Sequence, residues 1–135
     1  MSVLGAYKLT IKEHHLDTFG HVNNAVYLTL YEEARWELIT QRGYSLKVVQ
    51  EKAQGPVILD LQLKFLKELH LREEITIQTE FIDYTGKIGH LKQTMINSRG
   101  EACSEITMTY GLFDLKARKL ITPTPEWQKV IGVSN

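Results

Sequence analysis

The chain has 135 residues, 43% of them hydrophobic and 24% charged, which is enough for one packed core without disulfides or structural metal. Its 16 basic and 16 acidic side chains cancel, so no global field draws it to nucleic acid or an anionic membrane, and an anionic ligand has to be met by a local patch. Cys103 is the single cysteine and forbids an internal disulfide. The start, MSVLGAYKLTIKEHH, lacks the marks of a signal peptide, and no run approaches the ~18 apolar residues of a membrane span, so a reducing, cytoplasmic setting is expected.

The chain contains no internal repeat, low-complexity tract or Pro/Gly-rich linker, and one domain over 1–135 is expected. Leu4 to Lys12 is rich in β-formers and predicts a first strand that ends near His14. After HHLDTFGHVNN, the residues Tyr27, Leu30, Tyr31, Ala34 and Leu38 recur at helical spacing, while Glu32, Glu33, Arg35 and Glu37 fall largely off that stripe. With Gly43 as a stop, they predict a helix from about Asn24 to Gln41. Leu46 to Ala53 predicts a shorter helix, closed by a Gly55-Pro56 break.

From Pro56 the period changes to two. Leu59, Leu61, Leu63 and Phe65 alternate with polar residues, as do Ile75, Ile77, Thr79 and Phe81. Thr85-Gly86 and Arg99-Gly100 are turn signals, so Lys87 to Asn97 and Glu101 to Leu115 complete a meander. Short turns imply antiparallel strands, and one long helix can cover only one face of their sheet, which gives an α+β unit. Such a unit leaves a sheet edge open, and a homodimer that continues the sheet would close it.

The polar cluster ahead of the long helix invites a metal reading through His14, His15, Asp17 and His21. Adjacent histidines on an extended segment point to opposite faces, however, and no second His/Cys cluster completes a ligand set, so no metal is assigned. Three jobs are open to Asp17: helix-turn cap, solvated loop charge, or catalytic carboxylate. Cap or loop is the commoner job for an Asp in a turn, and position shifts the odds toward the third, because the helix beginning near Asn23 or Asn24 offers first-turn N–H groups and the positive end of its dipole to a developing oxyanion. Gly20 permits a tight turn or a close ligand approach just before it. Cys103 sits in a strand-like run as a small core residue, and no G-x-S-x-G elbow or glycine-rich phosphate loop is present.

HLDTFGHVNNAVYLTLYEEARWELI resembles the signature of the hotdog-fold acyl-CoA thioesterases, in the hydroxybenzoyl-CoA thioesterase-like branch. VILDLQLKFLKELHLREEITIQTEF and GHLKQTMINSRGEACSEITMTYGLFDLKARK resemble the strands of that family. The resemblance implies a hotdog fold, a five- or six-stranded antiparallel sheet wrapped on one helix, at least dimeric and often tetrameric, with the active site at the dimer interface. It implies Asp17 as nucleophile or general base, and backbone amides of Val22, Asn23 and Asn24 as the oxyanion site. His21 and Asn23 are secondary catalytic candidates. Where plant acyl-ACP thioesterases carry D-x-N-x-H, this chain has Phe19 at the middle position, so a role carried by that Asn is absent.

If CoA is the carrier, Lys64, Lys67, Lys87 and Arg99 are candidates for its phosphates. Phe19, Tyr27, Tyr31 and Phe65 are candidates for the acyl pocket, although the same residues serve equally as core. Phe19 stands close enough to Asp17 in sequence to desolvate it and raise its pKa. The expected function is hydrolysis of an acyl-CoA or acyl-ACP thioester without metal or redox cofactor. The alternatives are a hotdog dehydratase or hydratase, or a non-catalytic acyl-binding protein.

Overall fold

The computed structural model describes residues 2–132, with side chains over 5–132. Strand β1 (Ser2–Thr10) leads through a 3₁₀ turn (Glu13–His15) and a polar loop into helix α1 (Asn24–Gln41). A short helix α2 (Leu46–Lys52) follows, then strands β2 (Gln54–Phe65), β3 (Glu74–Thr85), β4 (Ile88–Ile96), β5 (Ala102–Asp114) and β6 (Lys119–Ile121), and helix α3 (Pro125–Val130). All pairings are antiparallel, in the order β1-β3-β4-β5-β2, with β6 on β5. The α+β architecture is the expected one, with six strands.

The helix stripe holds: α1 buries Tyr27, Leu30, Tyr31, Ala34 and Leu38, and Ile39 besides. Against it stand Ile75, Ile77 and Phe81 of β3, Leu91 and Met95 of β4, and Ile106, Met108, Tyr110 and Leu112 of β5, the alternate residues of each strand. β1 passes so close beneath α1 that a Cβ on Gly5 would lie 2.6 Å from Leu38 Cδ1, so any larger residue there would displace the Leu38 side chain.

Three local expectations are corrected. His14 does not end a strand; β1 stops at Thr10 and both histidines lie in or beside the 3₁₀ turn, because His15 Nδ1 accepts the Lys12 N–H at 2.9 Å. Their rings therefore sit 4.1 Å apart instead of on opposite faces. Gly55 and Pro56 are not a break: α2 ends at Lys52 with Ala53 at φ 56°, and both residues belong to β2. A proline is tolerated because β2 is an edge strand. Finally, β6 and α3 carry too few residues for periodicity to show; α3 is started by the Thr124 cap and Pro125 and is anchored by buried Trp127, edge-on to Tyr44 at 5.0 Å.

Candidate active site

The loop before α1 is folded by its own backbone. Asp17 N–H donates to His21 O at 2.7 Å, Gly20 N–H donates to Asp17 O at 3.1 Å with Gly20 at φ 81°, and Leu16 bridges Val22. Asp17 Oδ1 accepts the N–H groups of Phe19 (2.9 Å) and His21 (3.1 Å). This Asx-type turn holds the carboxylate through one oxygen and leaves Oδ2 outside both bonds.

Asn23 is the N-cap of α1: its Oδ1 accepts from Ala25 N–H at 2.9 Å and its carbonyl from Val26 N–H at 2.9 Å. Those two first-turn donors are occupied, whereas the Asn24 N–H carries neither bond. Of the three residues expected to offer amides, Val22 lends its side chain to the core and Asn23 uses its side chain as the cap; neither role engages their own backbone N–H groups, and Asn24 is the one of the three inside α1. The loop thus carries a carboxylate with one oxygen outside these bonds, six residues ahead of the α1 N-cap, and a carboxylate and first-turn N–H groups are chemical types that can serve acyl transfer.

The other predicted residues divide. The side chain of His21 turns away from Asp17, with Nε2 3.2 Å from Glu68 Oε1, so its link to Asp17 is through backbone alone. Phe19 is 84% exposed, and its ring does not shield Asp17 within the protomer. Tyr31 is core: its hydroxyl donates to buried Ser104 Oγ at 2.9 Å, and burial pushes its pKa well above the usual phenol value. Tyr27 is also buried and meets the half-exposed ring of Phe65 edge-on at 4.9 Å. Glu68, which nothing in the pattern marked, reaches this end of the molecule because the loop after β2 folds back toward the turn. Only its charge among apolar neighbours was legible.

The cationic candidates do not converge in one protomer. Lys64 pairs in register with Glu105 on β5, while the Lys87 carbonyl lies beside Gly111, six residues further along that strand and roughly 20 Å away at strand rise. Arg99 is engaged by Glu101 (Nε–Oε1 2.8 Å) and Glu73 (3.7 Å), and Lys67 also pairs with Glu101. The three donors Lys67, Asn97 and Arg99 hold the Glu101 carboxyl down at about 2.

A cavity of about 430 Å³ lies elsewhere than the four predicted pocket residues. It opens between α1 and the sheet and is walled by Trp36, Ile39, Val57, Phe81, Tyr110 and Trp127, with Glu32 and Arg35 also lining it. Desolvation lowers the Arg35 pKa, and its Nη1 donates to buried Gln93 Oε1 at 3.0 Å. Trp36 is twelve residues along α1 from Asn24, roughly 18 Å at helical rise, so the turn and the cavity lie far apart in one protomer. No group of three or more metal-ligating side chains occurs among the described residues, and no helix is long and apolar enough to cross a membrane.

Comparison with known proteins gives the family. The model of the thioesterase-like superfamily matches residues 11–131. Long-chain acyl-CoA thioesterase FadM of Escherichia coli strain K12 is 27% identical over 115 residues, which is 84% of this chain and 86% of that protein. The chloroplastic acyl-acyl carrier protein thioesterase ATL3 of Arabidopsis thaliana is 30% identical over 78 residues, 58% of this chain and 41% of that protein. Among solved structures, Staphylococcus aureus SAV2348, determined in complex with CoA, superposes with a TM-score of 0.89 at 20% identity, over 97% of this chain and 82% of that chain, a likeness of fold.

Proposed function

The chain belongs to the thioesterase-like superfamily, and from that premise we propose that it hydrolyses acyl-CoA thioesters with Asp17 as the catalytic carboxylate. The observation that carries the reading is the Asp17 turn: two backbone N–H groups fix one carboxylate oxygen directly before the open first turn of α1. In the general-base form, Asp17 takes a proton from water as the oxygen bonds to the thioester carbonyl carbon. The Asn24 N–H and the α1 dipole hold the oxyanion. Collapse breaks the C–S bond, and the CoA thiolate takes the proton from Asp17. In the nucleophilic form the same carboxylate bonds to the carbonyl carbon and expels the CoA thiolate, and water then hydrolyses the resulting anhydride to the free acid and the Asp17 carboxyl, whose proton goes to the thiolate.

The site is completed by a homodimer. β2 is an edge strand with Ile58, Leu59, Leu61 and Phe65 exposed, Leu61 at 43%, and an unpaired apolar edge of this kind invites a second copy. Two β2 strands paired antiparallel about a two-fold at Asp60 or Leu61 set Phe65 of one protomer opposite the stretch from Gly55 to Val57 of the other. That stretch borders the cavity, so the aromatic chamber of one protomer meets the Asp17 turn of its partner and receives the acyl group. The Lys87 turn moves to the same end, where Lys64 also lies, and can meet CoA phosphates. The protein then acts as a cytoplasmic hydrolase of one domain. Acyl carrier protein as the thiol carrier and a tetramer of two such dimers are further forms of the reading.

A thiol-release assay across short, long, branched and aryl acyl-CoAs tests it. Asp17→Asn is expected to lower kcat by about 100-fold or more with substrate binding kept; unchanged turnover removes Asp17 from the chemistry.

A further inference from the structure

The long helix crosses the sheet mainly on apolar contacts, and apolar contacts do not fix where a helix stands along its own axis. Gln93, at the centre of β4, is 0% exposed and is the one buried glutamine among the described residues. Its Nε2 donates to the main-chain carbonyl of Tyr31 at 3.1 Å and to Thr79 Oγ1 at 3.0 Å, while its Oε1 accepts from Arg35 Nη1 at 3.0 Å. Thr79 is its direct cross-strand partner on β3. One side chain therefore ties the backbone of α1 and a residue one turn later to two neighbouring strands.

We propose that Gln93 is a positioning residue for the reaction: it fixes the axial and rotational setting of α1 and thereby the place of the Asn24 N–H relative to Asp17. Tyr31 lies seven residues from Asn24, roughly 10 Å along a rigid helix, so a shift at the tie appears undiminished at the first turn. Hydrogen bonds to a buried amide have narrow distance and angle limits, which packing alone lacks. Oxyanion stabilisation is sensitive to displacements of this size, with about 100-fold in rate at stake per ångström. Arg35 belongs to the same tie, which also sets the wall of the cavity.

The inference rests on the hydrolase reading, and the experiment separates the two. Gln93→Met keeps the volume and removes all three bonds. The expected result is a folded protein whose kcat falls at least about tenfold with KM within twofold, and whose Asn24, Ala25 and Val26 amide resonances shift. A folded Gln93→Met with kcat within twofold of wild type, with the loss confined to KM, or with unmoved first-turn amides overturns the proposal. Should Gln93→Met fail to fold, Thr79→Val decides: it leaves Gln93 in place without its lateral bond, and a several-fold fall in kcat is expected, whereas unchanged kcat overturns it. If wild type releases no thiol from any acyl-CoA, the hydrolase reading fails, and the amide shifts of Gln93→Met still decide the positioning.

Discussion

The two ends of α1 are built by different means. At its start, the Asp17 turn is held by backbone hydrogen bonds while Phe19, His21 and Asn24 remain open to solvent. Towards its end, Trp36 and Ile39 face Phe81, Tyr110 and Trp127 across an apolar cavity. One end supplies directed polar groups and almost no room; the other supplies room and few polar groups. On the proposed reading a single protomer separates chemistry from volume, and pairing of two β2 edges would reunite them.

The largest effect bears on the polar end, where Asp17→Asn is expected to abolish most turnover in the thiol-release assay. Next, Val57→Trp, which fills the cavity, is expected to reduce turnover of long acyl-CoAs about tenfold relative to short ones in a protein that still sediments as a dimer. Mixing it with Asp17→Asn under subunit exchange tests the contrast directly. If turn and cavity come from different protomers, each hybrid dimer has one site with both lesions and one with neither, and long-chain activity returns. If they belong to one protomer, every hybrid site is damaged and nothing returns.

Smaller effects sharpen the contrast through stability. Asn23→Ala removes the α1 cap and is expected to cost about 1 kcal/mol, read as a Tm lowered by roughly 3 to 5 °C. The smallest concerns the charged knot at the β4–β5 turn. Glu101 is held near 2 instead of 4.5, so its contribution is present above its ordinary value and is lost as the pH falls from about 4.5 towards 2. Glu101→Gln should flatten the acid limb of a circular-dichroism titration in that window, and an unchanged limb would remove the network from the acid response.

Much of the frame was legible in the chain alone. The 3.6-residue stripe from Tyr27 to Leu38 and the two-residue alternation from Ile75 to Phe81 are local consequences of burial on one face, and both hold in the structure, whereas Leu59, Leu61 and Phe65 of the edge strand β2 alternate in sequence yet are exposed. The turn around Asp17 is local in the same way, since it lies within five residues and its helix starts seven later. Contacts between residues distant in sequence were not. Tyr31 reads as a pocket aromatic until Ser104, 73 residues away, takes its hydroxyl; His21 reads as a partner of Asp17 until Glu68 faces it; Gln93 reads as an ordinary polar strand residue until Thr79, Tyr31 and Arg35 surround it. Periodicity records which face of an element is buried, a property of one segment at a time. The cavity, the helix tie and the open edge are properties of several segments at once, and only their packing determined them.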